Sequence, residues 1–108
     1  MATPLDAIRN IGPAMTARLN DAGIADAETL RALGPDEAYR RMLAAGDRPH
    51  VMAYQALAMG LQGRPFADPS PEERIALRSR FDAIRAEAAP PAGIEAALDA
   101  LGVIPRRG

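Results

Sequence analysis

Few residue types in this chain can do covalent or acid–base chemistry, and they stand far apart. There is no cysteine, which removes thiolate nucleophiles, disulfides and cysteine metal sites together. His50 is the only histidine, so a zinc site would rest on one imidazole and carboxylates, whereas structural zinc takes four nitrogen or sulfur ligands. No metal or other cofactor is expected, and His50 reads as a surface or half-buried residue at a helix start. Ser70 and Ser79 fall at a cap and on a helix rather than on the strained elbow that presents a catalytic hydroxyl. Paired carboxylates remain, but Asp36-Glu37 and Glu72-Glu73 stand where helices begin, and the helix dipole accounts for acidic residues there. The expectation is a protein that is not an enzyme and takes no small-molecule substrate.

Basic groups and bare backbone are the chemistry that is left. Thirteen arginines and no lysine face fourteen acidic residues, a formal net charge of -1, so the overall positive field of many nucleic-acid binders is missing. Any phosphate site must be local. Arg40, Arg41 and Arg48 lie near a helix end, where cations complement the dipole and can also meet phosphates or an acidic partner. Arg74, Arg78 and Arg85 recur on roughly one helix face, yet Glu73, Asp82 and Glu87 interleave with them in the pattern of a salt-bridge-laced surface.

The strongest local candidate is the turn Asn10-Ile11-Gly12-Pro13-Ala14 inside LDAIRNIGPAMTARLNDAGI. Two short helices joined by a turn with a central glycine resemble a helix-hairpin-helix element. That resemblance implies a Gly-hydrophobic-Gly turn whose backbone amides, with the start of the second helix, contact a nucleic-acid phosphate. Asn10 stands at the first glycine, and asparagine visits the left-handed region more easily than most residues. Ile11 would anchor the turn in the core, and Gly12 would keep the backbone bare for close approach. Pro13 has no amide to offer, and Ala14 occupies a place that is often basic in DNA-binding examples, with Arg18 one turn on as the nearest substitute. The candidate nucleic-acid residues are therefore Ile11, Gly12, Ala14 and Arg18. The same turn also reads as a structural corner between two packed helices.

The elements that must position this turn are all helical. At 108 residues and 48% hydrophobic composition, the chain suits one domain with a single core and a tail. Between regular Gly and Pro punctuation, the apolar residues fall at helical rather than alternating spacing. Thr3-Pro4-Leu5-Asp6 predicts a capped first helix over about residues 4–9. Pro13 to Gly23 predicts a second, carrying Met15 and Leu19 inward, with Ile24 folding back as the lock. A third follows Asp26 and stops at Gly34; a fourth runs from Pro35 to Gly46. The fifth, roughly 48–62, carries a core stripe of Val51, Tyr54, Leu57, Ala58 and Leu61. Ser70-Pro71-Glu72-Glu73 is a capping box that opens a sixth helix with the stripe Leu77, Phe81, Ile84 and Ala88. Pro90-Pro91 then breaks the chain before a last short amphipathic segment.

A longer pattern surrounds the turn. NIGPAMTARLNDAGI, Leu30, Leu33-Gly34, Ala38-Tyr39, Ala56-Leu57 and Leu61-Gln62-Gly63-Arg64 with Phe66 resemble the C-terminal domain of the TfoX (Sxy) family of DNA-transformation regulators. Tyr54-Gln55 stands where the family has a leucine-tyrosine pair, and Phe66 where tryptophan is frequent. The resemblance covers about residues 3–69. It implies a non-enzymatic regulatory domain linked to competence, and full-length members carry a separate N-terminal α/β domain for which this chain has no room.

The expected fold is therefore all-α, a small bundle of five to six helices with a helix-hairpin-helix-like N-terminal half. Residues 1–69 would form the family domain, 70–89 a long helix packing on it, and 90–108 a Pro-rich break and short helix or tail. The expected partner is DNA, bound weakly and without sequence preference, or a regulatory protein; Ile94, Leu98 and Leu101 are the candidate partner-binding or homodimer residues. Three of the four aromatics, Tyr39, Tyr54, Phe66 and Phe81, fall at core positions, so base stacking is not expected. The N-terminus lacks a basic-then-apolar signal pattern, and no apolar run approaches the roughly 20 residues that span a bilayer. A cytoplasmic protein with no membrane partner is the expectation.

Overall fold

Each helix starts and stops where local chemistry dictates. The computed structural model describes residues 2–88, and among these the order is a 3₁₀ turn (Leu5–Ala7), α1 (Pro13–Asp21), α2 (Ala27–Ala44), α3 (Val51–Leu61) and α4 (Pro71–Ala88), with no strand. After α1, Gly23 takes φ 82° and lets the Ile24 N–H turn back to Leu19 O at 2.9 Å, while the Ile24 side chain is buried. Asp26 caps α2 by accepting from Thr29 N at 2.7 Å. The Ser70 and Glu73 bonds of the capping box both form, at 2.9 and 3.2 Å, and open α4.

Several expectations need correction. The first helix, expected over 4–9, is only the three-residue 3₁₀ turn. Ile8 is already extended and Asn10 is left-handed (φ 69°), so too few residues remain to close α-helical turns. Thr3 does not cap it. Its N–H and hydroxyl instead donate to the Glu28 carboxylate, and its carbonyl accepts from Ala27 N, pinning the N-terminal segment to the head of α2.

The expected third and fourth helices are two limbs of α2, divided at Gly34 by one non-helical residue (φ 79°, ψ 169°) with Pro35 restarting the second limb. The five to six helices thus become four α-helices among the described residues, and the hairpin has one α-helical limb rather than two. α3 begins at Val51, three positions later than expected, with His50 as its N-cap. Ala88 is exposed rather than part of the α4 stripe. The Pro90-Pro91 break and the residues Ile94, Leu98 and Leu101 lie outside the described residues.

The core is one cluster. Leu5, Ile8, Ile11, Met15, Leu19 and Ile24 from the N-terminal part meet Leu30, Tyr39, Met42, Tyr54 and Leu57, and α4 adds Leu77, Phe81 and Ile84. At its centre Tyr39, Tyr54 and Phe81 bring one ring each from α2, α3 and α4, with centroids 5.4, 5.8 and 6.2 Å apart. The Tyr54 hydroxyl donates to Asp36, which also accepts from Arg80 Nη2 at 2.6 Å and so joins the same three helices. Burial pushes the Asp36 carboxyl up, but hydrogen bonds from Arg80 and Tyr54 outweigh it and hold the group below its ordinary value.

Candidate functional site

The inner side of the turn is fastened to main-chain groups of α3 and of the loop after it. Asn10, at positive φ, donates from Nδ2 to Ala56 O at 3.3 Å and to Arg64 O at 3.0 Å, tying the corner to α3 and to the loop after it. Beside it the Arg9 carbonyl lies so close to α3 that a Cβ on Gly60 would stand 2.0 Å from that oxygen. Ile11 is 5% exposed and belongs to the core, as an anchor should. Neither the Asn10 bonds nor the Gly60 approach is foreseen from sequence. A glycine inside an otherwise apolar helix is the one signal that marks such an approach in advance.

The outer side is differently built. Gly12 is the N-cap of α1, with extended backbone (φ -105°, ψ -168°) that any residue adopts, and a Cβ there would meet nothing within 4 Å. As a glycine it supplies no side-chain cap. The first α1 bond runs from Thr16 N to Gly12 O at 2.9 Å; among the described residues the N–H groups of Gly12, Ala14 and Met15 donate to no protein acceptor. Asn10, Gly12, Pro13, Ala14, Met15 and Arg18 wall a cleft of about 420 Å³, closed opposite by His50 and Ala53 of the α3 head. Three of the four predicted residues, Gly12, Ala14 and Arg18, therefore share one cleft, and Ile11 lies behind it.

Arg18 is not a free cation there. Its side chain is 47% exposed, and its Nε stands 3.6 Å from Asp47 Oδ1, an ion pair across the ends of α1 and α2. The second oxygen of Asp47 is buried without a hydrogen-bond partner. Arg18 also lines a smaller cavity of about 160 Å³ with Asp21, Met42 and Asp47, so acidic groups stand on its far side.

His50 is the residue whose position the sequence hides. It caps α3, accepting from Met52 N at Nδ1 (3.2 Å), which leaves the ring proton on Nε2 as a donor. Its backbone is held by Tyr39, whose hydroxyl accepts from His50 N at 2.8 Å and donates to His50 O at 3.2 Å. The helix-start reading of His50 is right, but nothing in the spacing places it on the wall of the hairpin cleft.

Elsewhere the arginines are largely paired. Arg40 and Arg41 reach Glu37, and Arg40 reaches Glu87 at 2.7 Å. Arg64 bridges Glu73 and Asp68 at 2.7 Å each; its guanidinium, with the Ser70 N–H, holds the Glu73 carboxyl down at about 2. Arg74 donates to the Pro69 and Ala67 carbonyls, while Arg78 and Arg85 both meet Asp82. The lacing expected for α4 is present only at Asp82; Glu73 and Glu87 pair instead with Arg64 and Arg40, outside α4. Among the described residues no three His, Asp or Glu side chains gather as a metal site would require, and no helix is long and apolar enough to cross a membrane.

The family model of the TfoX C-terminal domain matches residues 1–81. No curated protein and no solved structure matches the chain. The matched stretch takes in the hairpin, both limbs of α2, the Gly60 approach and α4 as far as Phe81, extending past residue 69, where the legible motifs end. On that match the chain belongs to the TfoX C-terminal domain family.

Proposed function

We propose that this chain is a non-enzymatic regulatory or adaptor domain of the kind that serves competence (DNA-transformation) regulators, and that the outer wall of its hairpin makes weak, sequence-independent contact with a DNA phosphate. The observation that carries this reading is Gly12. Serine or aspartate would cap α1 better, the backbone there is ordinary, and the space around it is open, so the fold itself has no need of a glycine. A bare N-cap with the unpaired Ala14 and Met15 amides behind it suits an incoming anion. Arg18 supplies positive charge beside it, tempered by Asp47.

The test is a fluorescence-anisotropy titration of the chain against short duplex DNA at low and physiological salt. Affinity should be weak and fall steeply with salt, because phosphate contacts release counterions and read no bases. Arg18→Glu should abolish it. No binding at low salt would leave the turn a structural corner. The second reading, a protein-interaction or homodimerisation module without nucleic acid, is favoured by Ile75, which is 71% exposed on α4, and by Met52 at the head of α3. Binding of that kind should survive moderate salt.

A further inference from the structure

One other cleft gathers positive charge, and it shares a wall with the hairpin cleft. It encloses about 270 Å³ and is lined by Pro49, His50, Val51, Arg78, Phe81 and Arg85. The guanidinium carbons of Arg78 and Arg85 lie 5.9 and 5.7 Å from the centre of the Phe81 ring, so one buried aromatic seats both. Asp82 serves both as well, accepting from Arg78 Nε at 3.1 Å and standing 3.4 Å from Arg85 Nη2. One carboxylate between two guanidiniums leaves positive charge in excess. It also takes Arg78 by the inner nitrogen, so both terminal nitrogens of that fork stay open to a second anion. The ring and the shared carboxylate hold the forks in place, which lowers the side-chain entropy lost when an anion arrives.

We propose that this cleft is a second phosphate-binding site, and that its occupant is the backbone of a nucleic acid that passes over His50 from the hairpin. The choice of occupant rests on the nucleic-acid reading of the hairpin. His50 belongs to both clefts. A track of two adjoining clefts, one offering bare amides and the other guanidinium forks, suits a polyanion with regularly spaced phosphates better than a single small anion, which either cleft alone would satisfy. His50 Nε2–H adds a donor at the crossing.

The experiment titrates the full chain with short fluorescent duplex DNA at several salt concentrations, comparing Arg78→Gln/Arg85→Gln with Arg18→Glu. The double variant should lose about tenfold in affinity, and its salt dependence should flatten by about one to two in slope. Loss in the double variant with none in Arg18→Glu would uphold a nucleic-acid phosphate site in this cleft but overturn the hairpin contact and with it the track between the two clefts. Loss in Arg18→Glu alone, or unchanged binding in the double variant, overturns the proposal. As a check independent of any variant's folding, His50 is the only histidine, so its ring C–H signals report the crossing directly in the unaltered protein. DNA should shift them. Shifts produced by inorganic phosphate or an acidic peptide but not by DNA would overturn the nucleic-acid occupant.

Discussion

The turn at Asn10 and the helix α4 both dock against α3, by different means. At the turn the partners are main-chain groups: the Arg9 carbonyl oxygen lies 2.0 Å from where a Gly60 Cβ would stand, and the Asn10 side-chain amide donates to two main-chain carbonyls. At α4, side chains meet side chains: Phe81 packs on Tyr39 and Tyr54, and Arg80 with Tyr54 closes on Asp36. A backbone contact has no rotamer with which to adjust, so it is intolerant of a single added atom. A junction of rings and charges has several partial terms, so it loses stability by degrees and responds to pH.

Gly60→Ala strikes the close approach of the turn to α3 directly. On an open helix face this substitution stabilises by roughly 0.5–1 kcal/mol. Here the methyl must displace a carbonyl oxygen 2.0 Å away, and the expected outcome is a loss of about 3 kcal/mol in urea unfolding. A neutral result would mean that the hairpin slides freely on α3. Asn10 comes next. Asn10→Ala removes both side-chain bonds and keeps a Cβ at positive φ, for a loss of about 2 kcal/mol, whereas Asn10→Gly relieves the backbone and should lose about 1 kcal/mol. Equal losses in the two variants would show that the left-handed conformation costs nothing here.

These two positions also mark how far the sequence could be read. Helix starts such as Asp26 and Ser70–Glu73, the stop at Gly23 with its Ile24 lock, and the core stripes of α3 and α4 follow local rules that neighbouring residues state in full. What stayed hidden depends on residues far apart in the chain. Asn10 reads as a substitute for glycine, but its amide serves carbonyls 46 and 54 residues away. Thr3 reads as a cap and instead reaches Glu28. The Gly34-Pro35 break, by contrast, is local and reads as it stands: one helical limb ends at the non-helical Gly34 and Pro35 starts the next. In the candidate site, Gly12, Ala14 and Arg18 were legible, while His50 and the Asp47 that holds Arg18 were not.

At the α4 junction the expected effects are smaller. Tyr54→Phe keeps the aromatic cluster and removes one hydrogen bond to Asp36, which retains Arg80; the expected loss is about 1 kcal/mol, read by the same urea titration. Acid acts on this junction through two carboxyls, and on the N-terminal segment through Glu28, whose carboxyl the Thr3 hydroxyl and N–H also hold below its ordinary value. Glu73, held at about 2, and Asp36, also lowered, bind fewer protons folded than unfolded. Their stabilisation is complete above the ordinary carboxylate value and is lost as pH falls through the folded one, so the melting temperature should drop between roughly pH 4.5 and 2. Arg64→Gln should flatten that drop, since Arg64 is the main cause of the Glu73 shift. An unchanged acid profile in this variant would assign the drop to Asp36 and to Glu28, which Thr3 holds low.

The smallest expected change in stability tests the outer wall of the hairpin. Gly12 is an N-cap with open space around its Cα, so Gly12→Ser should give the α1 amides of Ala14 or Met15 a hydroxyl acceptor and stabilise the chain by a few tenths of a kcal/mol, roughly 0.3. The same hydroxyl competes with a phosphate for those amides and covers the bare backbone. Affinity for duplex DNA should therefore fall severalfold while the unfolding midpoint rises. Opposite signs in one variant are what a glycine kept for contact predicts, and no property of a purely structural corner produces them. Should Gly12→Ser destabilise the chain instead, the glycine serves the fold, the inner and outer sides of the turn cease to differ in kind, and the phosphate contact loses its main support.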